Sequence, residues 1–291
     1  NMGRYAVSVG KKLGIPVVMT LHTKYYEDIY RVTKSKFLSN LALKYIMRPY
    51  TKADSVWTVS ESNRKTLRDY GYKGDVVVVK NGTEFVYPDN PEPLIAEVDK
   101  LHGLKGKKNV FIFVGRMAMY KNLKLIADAL QIVKNAGKEF TMLFVGGGFD
   151  FEEFKKYVAH LYLDKNCVFT NLIMDRRLLQ GYYLRSDMLI FPSTFDTAGI
   201  AITEAAAHKK PSLVVRDSCC AEGITDGENG FLCEESAESL ARKICKLCDG
   251  QAVLSTAGEN AYKTLYRSWS DVASEVYEKY TEIIAEYKKR R

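Results

Sequence analysis

Eight short apolar runs constrain the fold of this chain more than any other feature: "IPVVMTLHT" (15–23), "SVWTVS" (55–60), "DVVVVKNG" (75–82), "NVFIFVGR" (109–116), "FTMLFVGGG" (140–148), "CVFT" (167–170), "MLIFPS" (188–193) and "PSLVV" (211–215). A strand with one wet face alternates apolar and polar residues. These runs are continuous, so both faces of each strand are expected to be covered. Helical patterns lie between them, and strands joined through helices form parallel sheets with helices on both sides. The expectation is a doubly wound α/β chain.

The composition shifts at "EFVYPDNPEPLIAEVDKLHGLKGKKN" (84–109), which holds three of the seven prolines and then glycines and lysines. Such a stretch marks a domain boundary. We expect a partial N-terminal domain over 1–95, a C-terminal domain over 96–268, and a terminal helix over 269–291 that packs back toward the N-terminal domain. Five runs fall in the second domain, enough for a complete sheet. Three fall in the first, about half a sheet of this class, so its opening strands are expected to be missing. The last helix ends in four cations, Lys288 to Arg291, which complement the partial negative charge of a helix C-terminus.

No run approaches the roughly 18 apolar residues of a membrane span, and the first residues lack a signal-peptide layout. The six cysteines include one C-x-x-C, Cys245 and Cys248. With no second pair or histidine cluster nearby, they are expected to be thiols rather than zinc ligands. Reduced cysteines point to the cytoplasm.

The formal net charge of +8 favours an anionic partner. Between Ile29 and Ala53 stand six cations (Arg31, Lys34, Lys36, Lys44, Arg48, Lys52) and no acid, interleaved with Tyr30, Phe37, Leu38, Leu41, Tyr45, Ile46 and Met47. This is either a segment that lies on an anionic membrane or a solvated helix face whose apolar stripe enters the core. No nucleic-acid-binding motif accompanies it, so no nucleic-acid partner is expected.

Three strand ends carry candidate chemistry, since ligands of open parallel sheets bind outside the carboxyl ends of the strands. In "FIFVGRMAMYKN" (111–122), Gly115 precedes Arg116 and Lys121. These cations either converge on a phosphate, one as a fork and one as a point charge, or are simply solvated. In "FVGGGFD" (144–150) the glycines serve either a ligand's close approach or a tight turn. In "FPSTFDTAGIAITEAAA" (191–207) a helix beginning near Ala198 or Gly199 would aim its N–H groups at an anion, with Ile200 among the residues that bind it. Asp196 precedes that helix and Glu204 lies inside it. They are either a cap and an exposed acid or two acceptors for sugar hydroxyls.

Taken together, these loops resemble the retaining glycosyltransferases of family 4. The family's E-x7-E signature is matched as Asp196-x7-Glu204, and its "VGR…KN" pattern by Gly115, Arg116, Lys121 and Asn122. "VSESNRKTL" (59–67), "VVVVKNGTE" (76–84, with Lys80 where the family has proline) and "ITDGENGFL" (224–232) are similar to further family segments. The resemblance implies the GT-B fold: two doubly wound Rossmann-like domains with a cleft between them, the first incomplete here. It implies that Glu204 binds the nucleotide ribose, that Asp196 contacts the donor sugar, and that Arg116 and Lys121 bind the diphosphate. His22, at the end of "VVMTLHT" (17–23), takes the place of a family histidine close to the reacting sugar. Asp196 is one methylene shorter than the family's glutamate.

"GRYAVSVGKKLGIPVVMTLHTKYYEDIYR" with "SCCAEGITDGENGFL" looks most like the bacterial diacylglycerol glucosyltransferase branch. That branch implies transfer of a hexose, glucose, from a UDP-sugar to a lipid acceptor by an enzyme peripheral on the inner face of the cell membrane. UDP-sugar would be a co-substrate, with no cofactor. The chain contains no D-x-D, the pattern by which other transferases hold a divalent metal. Arg116, Lys121 and the helix start are therefore expected to stabilise the leaving diphosphate without one. Two other readings stay open: a polysaccharide or other soluble sugar acceptor, and a module that binds a nucleotide-sugar without turnover.

Overall fold

The computed structural model describes residues 2–290. Asn1 and Arg291, the last of the four terminal cations, lie outside the described residues. In chain order the helices are α1 (Met2–Leu13), α2 (Tyr25–Thr33), α3 (Lys36–Met47), α4 (Glu61–Asp69), α5 (Glu92–His102), α6 (Leu123–Asn135), α7 (Phe151–His160), α8 (Arg176–Arg185), α9 (Ile200–Ala207), α10 (Ala237–Cys248), α11 (Gln251–Thr264) and α12 (Trp269–Lys289). The strands are β1 (Val18–Leu21), β2 (Ser55–Thr58), β3 (Val76–Val78), β4 (Val110–Val114), β5 (Thr141–Val145), β6 (Cys167–Phe169), β7 (Met188–Ile190), β8 (Ser212–Val215) and β9 (Phe231–Cys233). All eight apolar runs form strands, and every strand pair is parallel. The ninth strand, β9, was not expected: it is a three-residue pairing of Leu232 and its neighbours against β8, too short to stand out from the turn before it.

The chain divides into two compact units. One holds residues up to Gly82, the short stretch 196–198 and the helix that starts at Trp269; the other holds Thr83–Phe195 and Gly199–Ser268.

In the first unit β1, β2 and β3 pair in that order, with Met19 opposite Val56 and Trp57 opposite Val77. Leu21, Leu43, Met47, Tyr50, Val56, Leu67 and Val76 form one core. On the other sheet face Trp57, Val79 and Val272 form a second. There α12 closes over the sheet, with Tyr280 stacked on Trp57 at 5.2 Å between ring centroids. The basic stretch after Ile29 is not one helix. It spans the end of α2, a break at Lys34 in left-handed conformation (φ 49°), and α3, which Ser35 caps by accepting from the Leu38 N–H.

In the second unit the strand order is β6-β5-β4-β7-β8-β9. Successive strands run outward from β4 in one direction and then from β7 in the other. The order reverses between β4 and β7, and that switch point is where a doubly wound sheet opens a crevice for a ligand. The β4 residues Val110 to Phe113 are fully buried, as are Met142, Leu143 and Phe144 of β5 and all of β7. That burial accounts for the unbroken apolar runs.

Candidate active site

The β4 end of the switch point is built by backbone packing. Gly146 has φ +133°, and a Cβ there would stand 2.1 Å from the Gly115 carbonyl oxygen; a Cβ on Gly148 would stand 2.3 Å from that of Met117. The Met117 N–H donates to the Gly147 carbonyl at 2.9 Å. Gly146 and Gly148 therefore serve the approach of one strand-end loop to its neighbour, a use different from both the ligand approach and the tight turn expected for "FVGGG". The loop after β4 then makes a 3₁₀ turn over Met119–Lys121, held by the Asp150 carboxylate, which accepts from the Met119 N–H at 2.8 Å.

That turn brings Lys121 back to the strand end. Its Nζ lies 3.7 Å from where a Gly115 side chain would begin and 5.4 Å from the centroid of the Phe191 ring at the end of β7. Arg116, next to Gly115, is exposed. Asn122 (φ 61°) donates to the Pro192 carbonyl at 3.0 Å and to Glu235 Oε1 at 2.6 Å. Thr194 donates to the same Glu235 oxygen at 3.2 Å. Glu235 thus fastens the β4 loop to the β7 loop, a role the sequence did not signal because it lies in no motif.

Helix α9 begins at Ile200, 46% exposed, with Gly199 as its N-cap at φ 55°. A Cβ on Gly199 would meet only side-chain ends, Ile202 Cδ1 at 2.9 Å and Cys220 Sγ at 3.0 Å, so it is the left-handed φ that favours glycine here. Glu204 is buried, not an exposed acid. Tyr183 donates to its Oε2 at 2.7 Å and Arg176 to its Oε1 at 3.4 Å. Burial raises the Glu204 carboxyl above its usual range, while the Tyr183 and Arg176 bonds pull it back. Burial and the Glu204 charge push Tyr183 far up, so it stays a donor.

Three further side chains fix these partners. Arg176 also pairs through Nε with Glu84 and lies over the Phe85 ring at 4.4 Å. His208 stacks on Tyr183 at 5.1 Å, and its Nδ1–H donates to the Glu204 carbonyl at 2.6 Å. Burial lowers the His208 pKa to about 4, so the ring is neutral. Arg176, Tyr183 and His208 escaped sequence reasoning because nothing in local spacing ties them to Glu204.

The remaining candidates belong to the first unit. His22 follows β1 directly and is exposed; Asp196 and Ala198 are half-buried. Thr197 between them donates through Oγ1 to the His22 carbonyl at 3.0 Å. Its own carbonyl accepts from Ser60 Oγ at 2.8 Å, and Ser60 also caps α4. So the stretch that carries Asp196 is fastened to the carboxyl ends of β1 and β2. Of the sequence candidates, the structure groups His22, Asp196 and Ala198 in one unit and Gly115, Arg116, Lys121, Gly199, Ile200 and Glu204 in the other.

A doubly wound six-stranded sheet with cations and a held carboxylate beside its switch point, joined to a second parallel α/β unit, defines a GT-B glycosyltransferase. The chain belongs to the glycosyl transferases group 1 family, whose model matches residues 95–264. The model of Glycosyltransferase Family 4 matches residues 2–85.

Among relatives, an alpha-monoglucosyldiacylglycerol synthase of Acholeplasma laidlawii is 26% identical over 304 residues, covering 98% of this chain and 72% of that protein. One of Streptococcus pneumoniae is 24% identical over 217 residues. That match covers 73% of this chain, and the chain spans about half (49%) of that relative's length. Among solved structures, Anabaena HepE in complex with UDP and glucose superposes with a TM-score of 0.77 at 18% identity, covering 96% of this chain and 75% of that one.

Proposed function

We propose that this chain moves glucose from UDP-glucose to a lipid acceptor of the diacylglycerol class, with retention at the anomeric carbon and without a metal. The observation that carries the proposal is the held carboxylate of Glu204. Two donors fix its oxygens, each of which keeps a lone pair to accept from a ribose hydroxyl, and in a buried setting such a bond is stronger than in water. The names of the two synthases and the ligands of HepE support the choice of donor and acceptor.

In this reading the bond from the anomeric carbon to the diphosphate breaks while the acceptor oxygen attaches on the same face. The acceptor's proton passes to the departing phosphate. Arg116, Lys121 and the N-terminus of α9 stabilise the charge that builds on that phosphate. Asp196 accepts from donor-sugar hydroxyls, and His22 orients the sugar. The exposed Phe37, Leu38, Leu41 and Tyr45 of α3, beside Lys36 and Lys44, support action at an anionic membrane from the cytoplasmic side. No helix among the described residues is long and apolar enough to cross a membrane.

Product analysis with several UDP-sugars and diacylglycerol, in vesicles containing phosphatidylglycerol, tests the proposal. A Glu204→Ala variant should lose turnover and UDP affinity together; retained affinity would overturn the ribose assignment. Transfer to soluble sugars but not to diacylglycerol would move the acceptor class. UDP-sugar binding without any turnover would make the chain a binding module.

A further inference from the structure

The first 53 residues hold ten cations and two acids, an excess of eight that equals the net charge of the whole chain. This concentration is not spread evenly over the surface. Arg4, Ser8 and Lys11 fall at positions i, i+4 and i+7 of α1 and share a face. That face meets Arg48 and Lys52, which follow α3, around a cavity of about 300 Å³ floored by the buried Val7.

Four cations and a hydroxyl line this cavity, and no carboxylate does. Among the described residues none of the four is in an ion pair, whereas Arg176, Arg177, Arg185, Lys138, Lys209, Arg216 and Lys243 of the second unit all are. The two guanidiniums are held instead by one aromatic ring: Arg4 lies 4.1 Å and Arg48 6.0 Å from the centroid of Tyr45. A ring holds a cation in place without neutralising it. Like charges gathered around one cavity with no counter-charge repel each other until an anion enters. Paired arginine forks suit phosphate oxygens in particular.

We propose that the cavity framed by Arg4, Lys11, Arg48 and Lys52 binds a phosphate group, and that the phosphate is the headgroup of an anionic phospholipid. The choice of a lipid rests on the membrane reading above; the phosphate chemistry does not. Met2 and Tyr5 of α1 are 80% and 68% exposed, so apolar side chains flank the cations on the same helix. A lipid offers both its phosphate and its acyl region, while a free phosphate leaves those side chains in water.

The experiment compares two charge-matched double variants of the full chain. Arg4→Gln/Arg48→Gln removes both guanidiniums from the cavity, and Lys36→Gln/Lys44→Gln removes two exposed cations of α3 that lie outside it. Binding is measured to phosphatidylcholine vesicles with and without 30% phosphatidylglycerol, and to glycerol 1-phosphate in solution. General attraction predicts the same loss for both pairs, since each cation near an anionic surface contributes about equally. The cavity predicts a further loss of roughly tenfold for the Arg4/Arg48 pair, from the forked contacts, with UDP affinity unchanged in both variants.

Arg4→Lys/Arg48→Lys keeps the charge and the helices; intermediate binding there supports forked recognition. If the Arg4/Arg48 pair weakens glycerol 1-phosphate binding but not vesicle binding, the phosphate site stands and the lipid source falls. Equal behaviour of the two glutamine pairs toward both probes would overturn the proposal. Loss of UDP affinity in the Arg4/Arg48 glutamine pair alone would mark a folding defect there, and the lysine pair then decides: wild-type binding of both probes by it would overturn forked recognition.

Discussion

Replacing Tyr183 with phenylalanine isolates the support of Glu204, because the ring stays and only the hydroxyl goes. Tyr183 is fully buried and donates to Glu204 Oε2 at 2.7 Å. A hydrogen bond to a charged group contributes about 1.5–3 kcal/mol, so a loss of about 2 kcal/mol is expected at pH 8. For a unit of this size that lowers Tm by roughly 4–8 °C.

The loss should depend on pH in a defined direction. Burial raises the Glu204 carboxyl, so the folded state holds that proton more tightly than the unfolded chain. The stability this gives is full below the unfolded-state pKa and is lost as pH rises through the folded one. The Tyr183 hydroxyl lowers the folded pKa, and its removal raises it further. The variant is therefore most impaired where Glu204 would be ionised and recovers as the acid is protonated. The deficit should shrink to about 1 kcal/mol or less at pH 4, where a neutral hydrogen bond is all that is missing. Thermal melts at pH 8 and pH 4, with wild type alongside, measure it. An equal Tm deficit at both values would refute the argument, as would no deficit at pH 8.

Arg116→Ala or Lys121→Ala should each lower kcat about 10²–10³-fold if they stabilise the leaving phosphate, with KM changed far less; a change confined to KM would assign them to ground-state binding. Gly148→Ala drives a Cβ to within 2.3 Å of the Met117 carbonyl oxygen and should destabilise the second unit by about 1–3 kcal/mol, seen in denaturant melts. Thr197→Val removes the bond to the His22 carbonyl. It should cost about 0.5–1.5 kcal/mol and slow turnover while leaving UDP affinity intact, which calorimetry can separate.

The sheets were legible because fully buried strands leave unbroken apolar runs, and all eight such runs became strands. β9 was missed because three residues ending a turn carry too little pattern. At the site, the residues next to strand ends could be located from the order of glycine, arginine and lysine, since a strand end fixes its own loop. The partners of Glu204 could not. Glu84, Arg176, Tyr183 and His208 come from separate segments, and only the packing of α8 and α9 brings them to one carboxylate. The use of the glycines of "FVGGG" was not legible either: a turn, a ligand's approach and a backbone's approach all favour glycine, and the 2.1 Å clearance at Gly146 shows the last of these.

The covering of Trp57 by α12 also sets an order of events during synthesis. Trp57 leaves the ribosome more than two hundred residues before Tyr280, the ring that stacks on it. At 5–20 residues per second that interval lasts about 10–45 s. One face of β2 and β3 must wait through it, while the second unit, whose segments emerge together in the middle of the chain, can complete its sheet. The half that starts first is thus finished last, and its indole face stays uncovered until α12 arrives.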